Sequence, residues 1–165
     1  MTITSVCFGQ SDSTKRWYAP DFAKIQFAGH IGFLSPGVGY QFINNNLNTE
    51  LLYGYLPSSI SETNALHQIA LKITYRFIKL NTNKVKFCGY GGFTFMPNLL
   101  TNNTNNMSFL TGLGSNVDLG RSCIKSVEFY IETGALLSAL EYALTYESVP
   151  MTSVFSMALG LNFYL

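Results

Sequence analysis

Charge is scarce in this chain. Asp, Glu, Lys and Arg make up 12% of its 165 residues, about half the fraction usual in soluble domains, while apolar residues are an ordinary 47%. The net charge is +1 and there is no basic run, which argues against a nucleic-acid-binding surface. No uninterrupted apolar stretch approaches the roughly 18 residues of a transmembrane helix. That absence does not exclude a membrane, because a spanning strand needs only about ten residues of alternating character. The three cysteines, Cys7, Cys88 and Cys123, are too few for a disulfide framework and lack metal-ligand spacing, so no metal or other cofactor is expected.

What replaces the missing charges is Asn, Ser, Thr, Gly and aromatic residues, with ten Tyr and thirteen Phe. This composition is unusual for a solvated surface and ordinary for a barrel with an apolar exterior. The length suits one domain. MTITSVCFGQ, residues 1–10, is apolar and uncharged and reads as the remnant of a secretion signal. Residues 11–22 would then form an N-terminal periplasmic segment and 23–165 the barrel.

The stretch HQIALKITYRF, residues 67–77, sets out the main question. Ile69, Leu71, Ile73, Tyr75 and Phe77 alternate with Gln68, Ala70, Lys72, Thr74 and Arg76, the period of a strand. In a soluble barrel the apolar side would form the core and the cations would meet water. In an outer-membrane barrel the apolar side would meet lipid and the cations would point inward. Seven further alternating segments fall near 23–34, 37–43, 48–56, 84–96, 107–119, 125–137 and 154–165. Ser35-Pro36-Gly37 and Asn44-Asn45-Asn46 read as turns. Residues 138–150 alternate one register off, which fits either a bulged extension of the preceding strand or a short helix. Gly89-Tyr90-Gly91-Gly92 lies inside an alternating strand and opens no helix, so it is not a phosphate loop.

Two features favour the membrane arrangement. After the first hairpin, short turns and longer loops alternate, as they do in an even-stranded barrel with both termini in the periplasm. The non-apolar faces of the strands also carry Lys24, Lys72, Arg76, Lys84, Lys86, Glu50, Asp118, Glu128 and Glu132, together with His30, Tyr130 and many glycines, among them Gly39, Gly54, Gly112, Gly114 and Gly160. Glycine weakens a solvated sheet face, but in a narrow barrel it makes room for long side chains that pair across the interior. Isolated charges there would be too costly, so pairing is expected, with Lys72 and Arg76 held by Glu50, Glu128 or Glu132. The opposite faces carry no charge. Ile69, Leu71, Ile73, Tyr75, Phe155, Leu159, Leu161 and Phe163 are expected to face lipid, with Phe77 near the periplasmic interface.

The closing run Leu161-Asn162-Phe163-Tyr164-Leu165 resembles the terminal strand of bacterial outer-membrane proteins, with Leu where Phe is usual. The whole mature chain resembles the small eight-stranded outer-membrane barrels, a class that includes OmpA-like membrane domains and lipid A deacylases. Gln10 after the apolar leader is similar to that of Bacteroidetes proteins. The resemblance implies an all-β, eight-stranded antiparallel up-and-down transmembrane barrel, integral to the outer membrane. It also implies contact with outer-membrane lipid, lipopolysaccharide and other outer-membrane proteins. The expected role is structural or accessory, exercised through the loops and barrel wall. The alternative is an outer-leaflet lipid-modifying enzyme of the deacylase kind, with His67 as base near Ser61 and Glu62. His30, the other histidine, is expected mid-barrel on the polar face of the first strand, as a hydrogen-bonding residue.

Overall fold

The computed structural model describes residues 18–61, 64–82, 85–97, 106–120, 124–145 and 154–165. The expected signal remnant, Cys7, Cys123 and Lys84 lie outside these residues.

Eight strands form in chain order: β1 (Phe22–Ala28), β2 (Leu34–Phe42), β3 (Leu47–Leu56), β4 (Leu66–Asn81), β5 (Val85–Met96), β6 (Asn106–Asp118), β7 (Ser126–Leu136) and β8 (Phe155–Tyr164). A helical turn, α1 (Ser58–Ser61), follows β3, and a helix, α2 (Leu137–Thr145), follows β7. Every strand pairs antiparallel with the next, and β8 pairs with β1, so the sheet closes into an up-and-down barrel. Closure leaves no strand edge unpaired.

The register sets the shape. Followed through β2 to β6, Phe22 leads by way of Gly39, Glu50, Lys72, Thr94 and Ser108 to Leu136. Followed the other way, through Tyr164, it leads to Ser126. Leu136 and Ser126 are ten residues apart on the same strand. For eight strands about 4.8 Å apart, rising about 3.3 Å per residue, that stagger tilts the strands by about 41°. The ten-residue strands β3 and β8 therefore span about 25 Å along the axis.

The connections 43–46, 82–84 and 119–125 lie at one end with the first and last strand termini. The connections 29–33, 57–65, 97–105 and 137–154 lie at the other. At the first end, Asn44 and Asn45 adopt φ of 54° and 61°, a conformation Asn tolerates well.

The opening hairpin differs from the sequence expectation. β1 ends at Ala28 rather than near 34, and the chain turns at 29–33, where Gly29 and Gly32 have φ of 91° and 154°. Ser35, Pro36 and Gly37 lie within β2 instead of forming the turn. Pro36 has no N–H to donate, and the β2–β3 ladder is interrupted at Ser35 and Pro36. Because the turn comes early, Ile31 is not on the outer face. It is 5% exposed and packs with Leu52, Ala70, Met96 and Leu136 inside the mouth of the barrel.

A register shift between Arg76 and Ile78 marks a bulge against β5. It leaves both Phe77 and Ile78 exposed and bends the strand locally. Of the two readings for 138–150, the described part, 138–145, is helical: α2 begins directly after β7, and 146–150 lie outside the described residues.

Candidate functional site

The alternation sends two kinds of side chain to opposite sides of the wall. Outward strand positions among the described residues carry no Asp, Glu, Lys or Arg. Ile69, Leu71, Tyr75, Phe155 and Leu159 are exposed on this outer wall. Ile73, Leu161 and Phe163 have the same orientation and are partly covered by neighbours.

The interior holds the charges. Lys24, Glu50, Lys72, Glu128 and Glu132 are buried and, with Arg76, form three ion pairs from six positions on four strands, β1, β3, β4 and β7. Lys24 Nζ lies 2.6 Å from Glu50 Oε2. Lys72 Nζ contacts both Glu132 oxygens at 2.5 and 2.7 Å. Arg76 Nη2 lies 2.7 Å from Glu128 Oε2. Each pair sums to zero charge, as the cost of burying an isolated ion requires.

Neutral groups complete two networks. In the central one Lys72 also donates to Gln26 Oε1 (3.3 Å), Tyr130 donates to the same oxygen (3.2 Å), and Tyr90 donates to Glu132 (3.2 Å). The Lys24 ammonium sits 4.2 Å from the Tyr130 ring centroid, a cation–π contact. In the second network, nearer the short-turn end, Tyr164 donates to Glu128 (2.8 Å), Asn162 donates to Glu128 (3.3 Å), and Arg76 donates to the Tyr164 hydroxyl. The central network lies beneath the apolar layer of Ile31, Leu52, Ala70, Met96 and Leu136.

Glycines make this packing possible. A Cβ at Gly112 would stand 2.6 Å from the Tyr90 ring and 2.8 Å from the Ile131 carbonyl oxygen, and one at Gly160 would run into the Tyr130 hydroxyl. Tyr90, Tyr164, Gln26 and Asn162 were not singled out as site residues from the sequence, yet they supply much of the bonding. The signal was present, since each occupies the same inward parity as a neighbouring charge.

Lys86, Asp118 and His30 lie elsewhere than expected. Lys86 pairs with Asp118 at 2.9 Å, but the two are 52% and 58% exposed, because β4 to β6 run on past the enclosed part of the barrel at the short-turn end. His30 belongs to the 29–33 turn rather than to mid-strand. Its Nε2–H donates to the Gly134 carbonyl (3.0 Å), and burial holds its imidazole below the ordinary pKa despite that bond. A cleft of about 20 Å³ beside it is lined by Gln26, Thr94, Ser108, Glu132 and Ser156 together with Ile31, Leu110 and Ala158, room for about one water molecule.

His67 is on the outer wall at the long-loop end. Its Nδ1 is 2.5 Å from the Tyr53 hydroxyl, and its ring lies 5.3 Å from that of Tyr55. The Ser61 side chain and Glu62 lie outside the described residues. Elsewhere on the wall, Phe27, Phe87, Leu113, Phe129, Ile131 and Leu159 border an apolar groove of about 560 Å³ with Ser115 between them. No group of three His, Cys, Asp or Glu among the described residues could hold a metal ion. No described helix is long and apolar enough to cross a membrane. No protein-family model, curated protein or solved structure matches the chain.

Proposed function

We propose that this chain is an integral outer-membrane β-barrel that serves as a structural or accessory component, contacting outer-membrane lipid, lipopolysaccharide and neighbouring outer-membrane proteins through its wall and loops. One observation carries the reading. Among the described residues, the outward strand positions of the closed barrel are mostly apolar and carry no charge, around an interior of buried, paired charges, the reverse of a water-soluble domain. The roughly 25 Å span of its ten-residue strands equals the usual height of the lipid-facing band of such barrels. In water, an exterior of this kind would promote aggregation. The side-chain-filled interior favours an anchoring or scaffolding role over conduction, since eight strands leave room for side chains and little else.

The test has two parts. The chain refolded in detergent or lipid should migrate differently on gels before and after boiling and should precipitate when detergent is withdrawn; a soluble, heat-indifferent chain overturns the membrane reading. Isolation from native membranes should then recover it with other outer-membrane proteins, and recovery as a lone barrel overturns the accessory role.

A second reading rests on His67, whose close bond to Tyr53 places a titratable pair on the outer wall at the long-loop end. A lipid-modifying enzyme would use such a base against an ester at the outer leaflet. Comparing lipid A mass spectra from cells with the native chain, with His67→Ala and with neither decides it. Identical spectra remove the enzyme.

A further inference from the structure

We propose that α2 is an interfacial helix that lies in the headgroup region of the bilayer and extends the apolar wall of the barrel beyond the ends of its strands. This rests on the membrane reading above.

The helix is amphipathic in its own sequence, LSALEYALT. At 100° per residue, Leu137, Ala139, Leu140, Ala143 and Leu144 fall on one side. Ser138, Glu141, Tyr142 and Thr145 fall on the other. The helix packs against β6 and β7, and Ala139, Leu140 and Ala143 are half-buried. The rest of the apolar side is uncovered: Leu137 is 41% and Leu144 70% exposed, and α2 contains no buried residue.

Continuity with the wall identifies what covers it. Ala135 has outward parity but is covered, at 8% exposed; its partners across the two ladders are Phe109 and Phe155, both exposed. Leu137, two residues further, opens α2 and is itself 41% exposed. The exposed apolar wall of β6 and β8 therefore flanks the point where β7 passes into α2 and its exposed leucines. Lipid that covers Phe109 and Phe155 also reaches Leu137 and Leu144. Glu141, the helix's single charge, lies at the edge of the polar side, about 40° around the helix from Leu137 and about 60° from Leu144, within reach of the headgroups. An amphipathic helix in this position buries its apolar face about 5–10 Å below the headgroup boundary. A second barrel, or a protein partner seated on the same leucines, is the competing occupant.

The experiment uses the full chain with its one tryptophan, Trp17, replaced by Phe. Leu144→Trp, Glu141→Trp and, for the barrel wall, Phe129→Trp are then introduced singly. Each variant is refolded into phosphatidylcholine vesicles brominated either near the carbonyl or near the chain end, at protein-to-lipid ratios low enough to isolate single barrels. The Leu144→Trp emission should be blue-shifted and quenched by shallow bromine. Glu141→Trp should stay open to aqueous acrylamide, and Phe129→Trp should be quenched by deep bromine. Leu137→Trp repeats the helix measurement should Leu144→Trp not refold. If the helix tryptophans are as open to acrylamide as that at 141 while Phe129→Trp is lipid-quenched, the helix proposal fails and the barrel reading stands. Protection from acrylamide with no lipid quenching assigns the leucines to protein and also overturns it. If Phe129→Trp in a folded barrel is untouched by lipid bromine, the membrane reading itself falls.

Discussion

Lys72 on β4 and Glu132 on β7 meet across the barrel interior at 2.5 Å, with the lysine ammonium fully buried. Burying both ions costs several kcal/mol each, offset only while the pair is intact. Lys72→Met should therefore cost about 3–5 kcal/mol, because it strands a buried carboxylate. Adding Glu132→Gln to that variant should recover a large part. Urea unfolding of the four chains of this cycle, followed by the heat-sensitive gel shift, measures the coupling. A loss in the double variant equal to the sum of the two single losses would show that the two do not act as a pair.

Tyr164 ties the closing strand to the rest of the barrel, donating to Glu128 on β7 and accepting from Arg76 on β4. Tyr164→Phe keeps the ring and removes the hydroxyl, leaving two buried charges one partner short. A loss of about 1–3 kcal/mol is expected, together with faster amide exchange in β8 and β1. Unchanged exchange at that seam would mean that the backbone ladder alone holds it.

Gly112 faces the Tyr90 ring with no room for a Cβ. Gly112→Ala should destabilise the barrel by about 1–3 kcal/mol through overpacking. Tyr90→Leu in the same chain should relieve the steric part while giving up the bond to Glu132. Refolding yield in detergent reports both effects.

Wall and rim should respond oppositely to charge. Leu159→Arg, mid-wall on β8, is expected to cost about 2–4 kcal/mol of stability in lipid. Lys86→Ala breaks the exposed pair with Asp118 and should change stability by no more than about 1 kcal/mol. Unfolding in vesicles compares them, and a harmless Leu159→Arg would argue strongly that this wall does not meet lipid.

His30 supplies a pH dependence. Its pKa is held below the ordinary value by burial at the mouth, so as pH falls below about 6.5 the unfolded chain takes up a proton that the folded chain resists. Stability contributed by this residue is thus present above that pH and is lost on acidification toward the folded pKa. His30→Gln should flatten the stability profile between pH 7 and 5. Amide exchange in the 29–33 turn and at Gly134 locates the effect.

Much of this was legible in the primary structure, because a strand's period of two assigns each side chain to a face without knowledge of its neighbours. HQIALKITYRF already separated Ile69 and Leu71 from Lys72 and Arg76. The count of strands and the alternation of short and long connections followed from the same pattern and from turn chemistry. The first hairpin departs from the pattern because Gly29, His30, Gly32 and Phe33 continue the alternation while positive φ at Gly29 and Gly32 turns the chain. Lys86 was placed inside because parity says which way a side chain points, not whether the barrel encloses it at that height.

Face, period and the charge balance of the interior were thus determined locally, by steric alternation and the cost of burying an unpaired ion. Which cation met which anion was not. Lys24 with Glu50, Lys72 with Glu132 and Arg76 with Glu128 join residues 26, 60 and 52 positions apart, and only the stagger of the closed sheet brings those levels together. The sealing of the mouth by Ile31 depends on the same closure, since its apolar partners come from β3, β4, β5 and β7 and share a layer only once the barrel has formed.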